Sequence, residues 1–168
     1  MRKTILLFAA TFCFVGTLFA QSPKLGYINS NELLSQMPEV RAADSTLQVY
    51  ARSYQEQLET MGKEYQKKIQ EYQAQEKTMS DAVKEVKAKE IQQLGERIQS
   101  TEQSAQEKIS KRREEVYSPI IEKAENAIKE VGKSNNYDYI FDTSSGALLY
   151  YKDADDILPL VKAKLGIK

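Results

Sequence analysis

The chain has 168 residues, with 24 basic and 24 acidic side chains, no histidine and a single cysteine, Cys13. Zero formal charge removes the global attraction to phosphate on which nucleic-acid binding depends. The missing histidine and lone cysteine exclude the usual transition-metal sites, and the length suits one domain or a compact body with an extension.

Arg2 and Lys3 precede an apolar run from Ile5 to Phe19, and small residues follow at Ala20 and Ser22. This is the layout of a secretory signal peptide over residues 1–20, with cleavage after Ala20 or as late as Ser22. Polar residues begin at once and no second apolar segment exists, so no stable membrane anchor is expected. Thr11 and Phe12 stand before Cys13 where a lipoprotein signal has small residues, which argues against a lipid anchor. Removing Arg2 and Lys3 from 24 basic residues against 24 acidic leaves a balance of −2. The exported chain has no thiol, which suits an oxidising compartment but provides no disulfide framework.

"KLGYINS" (Lys24 to Ser30) reads as a short strand, and Asn29 with Glu32 can cap the brief helix "ELLSQM". Pro38, at a first helical turn, starts the chain into a long helix. From Asp44 to Glu115 there is no proline and only two glycines, among dense Gln, Glu, Lys and Ala. Within it Leu47, Tyr50 and Tyr54 recur eleven residues later as Leu58, Met61 and Tyr65, and the stripe continues to Ile69 and Tyr72. Leu94, Ala105, Val116 and Ala127 hold one register of the same period, and Ile98, Ile109, Ile120 and Val131 another. An eleven-residue repeat gives a nearly straight coil, and a narrow stripe implies a partner helix rather than a broad core.

The phase is lost around "KTMSDA" (Lys77 to Ala82), where Thr78 and Asp81 have the form of a capping box. Folding there brings Leu47 opposite Val116 and makes residues 44–116 an antiparallel helical hairpin. Each arm of about 35 residues reaches about 50 Å. Its seam is assigned to Leu47, Tyr54, Leu58, Tyr65, Tyr72, Leu94, Ile98, Ile109 and Val116, the tyrosines filling the interface between helices. Gly62 and Gly95, each costing about 1 kcal/mol in a helix interior, read either as a shared flexible zone or as glycines the helices simply tolerate.

Ser118-Pro119 predicts a kink or break, followed by a helix ending near Gly132. "YDYIFD", the turn "TSSG" and "ALLYYK" (Ala147 to Lys152) predict a β-hairpin. A last helix starts at Asp153 or Asp156 with Pro159 in its first turn. The fold class is α+β: a small body of three short strands and a few helices, from residues 24–43 and 117–168, carrying the long hairpin arm. So small a body buries limited apolar surface, and its strand edges invite association of several copies.

Chemistry is scarce. "DADD" (Asp153 to Asp156) lacks calcium-loop spacing, with Leu158 at the sixth position and Lys164 at the twelfth. "AIKEVGKS" (Ala127 to Ser134) mimics a phosphate loop, but Ile128 to Val131 continue a helix and Gly132 reads as its stop. The basic run "KISKRREE" (Lys108 to Glu115) reads as a solvated helix face. No catalytic residues, cofactor or metal ligands emerge. The pattern is that of a binding protein, not an enzyme.

Together, "GYINSNELLSQMPE", the charged hairpin and "NNYDYIFDTSSGALLYYKDADDI" resemble the Skp/OmpH family of periplasmic outer-membrane-protein chaperones, over essentially Lys24 to Lys168. The resemblance implies a homotrimer whose arms enclose a cavity and hold unfolded outer-membrane β-barrel proteins without ATP before membrane insertion. It assigns Gly26, Tyr27 and Ile28 with Tyr139, Ile140, Phe141, Leu148, Leu149 and Tyr150 to an assembly sheet. One departure stands out. From Ala74 to Gln92, Lys77, Lys84, Lys87 and Lys89 are balanced by Glu76, Asp81, Glu85 and Glu90. Such a neutral tip argues against lipopolysaccharide contact and for shallow salt dependence of client capture. The alternative is an envelope adaptor coiled coil with no affinity for unfolded chains.

Overall fold

A computed structural model describes residues 22–167; the signal-peptide assignment, with Cys13, lies outside them. In chain order the elements are β1 (Leu25–Ile28), α1 (Ser30–Gln36), α2 (Pro38–Gln75), α3 (Asp81–Ser134), β2 (Tyr139–Asp142), a single 3-10 turn (Asp153–Asp155) and α4 (Leu158–Leu165). The Asn29 side chain accepts the Glu32 amide and starts α1. Pro38 opens α2, where its missing N–H would have no helical partner.

The two long helices return on each other through a turn between Gln75 and Asp81. Ser80, not Thr78, occupies the N-cap of α3, and its side chain makes no capping bond. Thr78 instead donates its hydroxyl to the Gln75 carbonyl and so closes α2. The predicted capping box is therefore replaced by a cap on the outgoing helix. Cross-helix contacts fix an antiparallel register: Lys68 pairs with Glu90 at 3.0 Å, Lys108 sits 5.9 Å from the Tyr54 ring centroid, and Tyr117 donates to Asp44.

Three further expectations differ from the structure. Pro119 lies inside an unbroken α3. It and Glu115, four residues earlier, are both exposed, so water can take the carbonyl that proline leaves free, while Ile120, Ala124 and Ala127 hold the helix against the core. Gly132 does not stop the helix, which runs two residues further. An added Cβ there would stand 2.9 Å from Ile140 Cδ1, so this glycine serves close packing of helix on strand.

The third correction concerns the sheet. β2 pairs in parallel with β1, Leu25 opposite Tyr139 through Ile28 opposite Asp142. Residues 147–152 form no strand in this chain. After Asp142, the Thr143 amide still bonds the Ile28 carbonyl, and Asp142 accepts from the Ser144 amide at 2.9 Å. The "TSSG" turn thus keeps the chain beside the end of β1 instead of reversing it along β2. The other side of β1 receives Asp156 as an isolated bridge, followed by a 3.0 Å bond from the Ile157 amide to the Tyr27 carbonyl.

The body core gathers Ile28, Leu33, Met37, Ala43, Ile120, Ala124, Ala127, Val131, Ile157, Leu158 and Val161. It takes something from every helix and from the sheet, so the root of the arm and the body are one packed unit.

Candidate functional surfaces

Along the arm, Leu47, Tyr54, Leu58, Tyr65, Tyr72, Ile98, Ile109 and Val116 are half-buried, while Met61, Leu94 and Ala105 are buried. Two facing helices can shield only one strip of each other, so these side chains keep one flank in water. Tyr50 and Tyr54 meet edge-to-face at 5.3 Å, with their hydroxyls 3.3 Å apart. That bond, with desolvation behind it, raises the Tyr50 pKa. Neither Gly62 nor Gly95 interrupts its helix. A Cβ on Gly95 would meet the Tyr65 ring at 3.5 Å, an ordinary contact, and one on Gly62 would meet open space.

The ion pairs of the arm are mostly local, as in Arg52–Glu56, Lys63–Glu59 and Lys67–Glu71, each four residues apart. The cross-helix pair has a reciprocal effect: hydrogen bonding to Lys68 lowers the Glu90 pKa, and the same bond raises that of Lys68. At the root, Lys123 bonds Glu39 and lowers its pKa. Lys164 ties α4 to α3 by holding Glu130 at 2.6 Å.

The body presents a different surface. Strand alternation sends Gly26, Ile28 and Ile140 inward and Leu25, Tyr27, Tyr139 and Phe141 outward. Gly26 is required by close approach, since a Cβ would lie 2.9 Å from the Tyr137 ring and 3.0 Å from Ile157 Cγ2. Tyr139 and Phe141 stack at 6.4 Å and remain 61% and 43% exposed. Tyr27 is half-buried beneath Tyr151, ring to ring at 4.1 Å. In the extended segment that follows, Leu148 is half-buried, whereas Leu149 and Tyr150 are 96% and 80% exposed.

The nine residues assigned to an assembly sheet therefore divide: three face the chain's own core, and Leu148, Leu149 and Tyr150 lie outside any strand. Leu25, 43% exposed beside Tyr139, joins the outward apolar face; the period-two pattern of Leu25 and Tyr27 was the signal that could have found it. A second unanticipated feature is Asp142. It accepts from the Ser30 amide at 3.1 Å and the Ser30 hydroxyl at 2.6 Å, tying the end of β2 to the start of α1. Burial works to raise its pKa, but these bonds and those from Ser144 outweigh it and leave the carboxyl below its ordinary value.

Among the described residues no helix is long and apolar enough to cross a membrane, and no group of three His, Cys, Asp or Glu side chains could hold a metal ion. What the molecule offers is surface: a long wet seam and an apolar strand face.

Residues 24–165 match the model of a family described as outer membrane protein (OmpH-like). A chaperone protein Skp of Pectobacterium atrosepticum is 22% identical over 134 residues, covering 80% of each chain. One of Yersinia enterocolitica is 20% identical over 157 residues, covering 94% of each. The fold is similar to the crystal structure of an OmpH-like protein from Caulobacter crescentus, with a TM-score of 0.76, 17% identity and coverage of 86% of this chain and 84% of that one.

Proposed function

The chain belongs to the OmpH-like outer membrane protein family, and from that premise we propose that it is an ATP-independent periplasmic holdase for unfolded outer-membrane β-barrel proteins. The observation that carries the reading is the division of surfaces. The body leaves Leu25, Tyr139 and Phe141 exposed on the outward face of its two-stranded sheet, and Leu149 and Tyr150 exposed in the segment that follows, a surface suited to other copies of the chain. The arm offers an extended, mixed-charge surface with half-buried tyrosines, suited to many weak contacts.

Assembly as a homotrimer would bring several arms around one client, so that weak contacts act together through effective concentration. Release needs no fuel if insertion into the membrane is more favourable than remaining among the arms. The chain is no enzyme on this reading: its curated relatives are chaperones. Lipopolysaccharide is not among its expected partners, because the tip carries no net charge.

Diluting a urea-unfolded β-barrel protein into buffer and following light scattering tests the reading. Scattering should be suppressed near one assembly per client. Unchanged aggregation would favour an envelope adaptor instead.

A further inference from the structure

At the root of the arm, α2 and α3 frame an open groove of about 1000 Å³, lined by Asp44 and Leu47 from α2 and by Ser110, Arg113, Glu114, Tyr117, Ser118, Ile121, Glu122 and Glu125 from α3. The α3 residues form two neighbouring ridges, each with a step of four. One runs Ser110, Glu114, Ser118, Glu122; the other runs Arg113, Tyr117, Ile121, Glu125. Tyr117 and Ile121 of the second ridge, with Leu47, supply an apolar floor, on which Ile121 is 41% exposed. The walls hold four carboxylates against one cation, Arg113.

Those carboxylates are not neutralised equally. Glu125 is paired with Lys129, and Asp44 accepts the Tyr117 hydroxyl but meets no cation among the described residues. Glu114 and Glu122 take part in no ion pair among the described residues either. They stand on one ridge two turns apart, about 12 Å along the helix. In an extended chain, side chains on one face recur about every 6.6–6.8 Å. Two cations four residues apart would thus span about 13 Å and meet both glutamates, while the alternating side chains turn onto Tyr117, Ile121 and Leu47.

We propose that this groove is a docking site for extended segments of unfolded polypeptide in which Lys or Arg alternates with apolar residues. The inference rests on the holdase reading and gives it a client chemistry: cationic amphipathic stretches at the arm root, where the fold supplies negative charge over an apolar floor.

The test uses the full mature chain and three labelled ten-residue peptides: Lys alternating with Leu, Glu alternating with Leu, and Lys alternating with Ser. Fluorescence anisotropy at physiological salt should show binding of the Lys/Leu peptide only. The double substitution Glu114→Gln and Glu122→Gln should weaken it about fivefold, the effect of two screened ion pairs. The pair Glu85→Gln and Glu96→Gln, exposed on α3 toward the tip and away from the groove, should leave it unchanged. Equal losses from both pairs, or equal binding of the Glu/Leu peptide, would overturn the site. A change in assembly mass on the groove substitutions would overturn it too, assigning the groove to a second copy of the chain. Failure of every peptide to bind while aggregation is still suppressed removes the groove and leaves the holdase; peptide binding without suppression does the reverse.

Discussion

Body and arm are built from one chain by opposite means. The body closes eleven buried residues into a core fed by every helix and the sheet. Beyond the root, the arm buries only Met61, Leu94 and Ala105 and otherwise relies on half-buried side chains and exposed ion pairs. Few fully buried contacts and many solvated ones are the physical mark of local opening at low cost. The body should therefore unfold as one unit, while the arm opens in parts.

The sharpest way to break that contrast is to damage each side equally in chemical terms. Ile157 is 0% exposed, so Ile157→Ala should cost about 2–5 kcal/mol and shift the main urea transition. The seam change Leu58→Ala, at a half-buried site, should cost about 1 kcal/mol and speed amide exchange in the arm while the body stays protected. Equal shifts of one shared transition would show that arm and body are not separable.

Next in size, Gly26→Ala forces a methyl against the Tyr137 ring and Ile157 Cγ2 and should cost about 1–3 kcal/mol by urea unfolding. Its counterpart in the arm has the opposite sign. Gly62 faces open space, so Gly62→Ala should stabilise the arm by about 0.5–1 kcal/mol, seen as slower local exchange.

Between these in size falls a pH effect confined to the body. The Asp142 carboxyl is held below its ordinary value of 3.8, so its contribution is complete above that value and disappears as pH falls through the lower folded one. Asp142→Asn should cost about 1 kcal/mol at neutral pH, after discounting for solvent screening, and should flatten the acid limb of body stability below about pH 4. An unchanged acid limb would assign that loss to other carboxylates.

The arm was legible in the sequence because its signals are local. An eleven-residue period, a lapse of phase at Lys77 to Ala82 and Pro38 at a helix start each depend on neighbours a few turns away. The body was less legible because its decisive contacts span more than a hundred residues. "YDYIFD-TSSG-ALLYYK" carries every local sign of a hairpin, yet β2 lies parallel to β1, and the turn is held by Ser30 and Ile28 from the other end of the chain. Pro119 misled for a related reason: its local penalty is real, but it falls on the exposed side of a helix fixed by tertiary packing. The groove at the arm root was invisible because Asp44 and Glu114 become neighbours only once the hairpin closes.

The proposed holdase is tested most directly by the native mass of the protein mixed with one unfolded β-barrel protein. Three copies of this chain should be retained with a single client. Monomers that carry no client, at concentrations where the barrel protein alone aggregates, would contradict it.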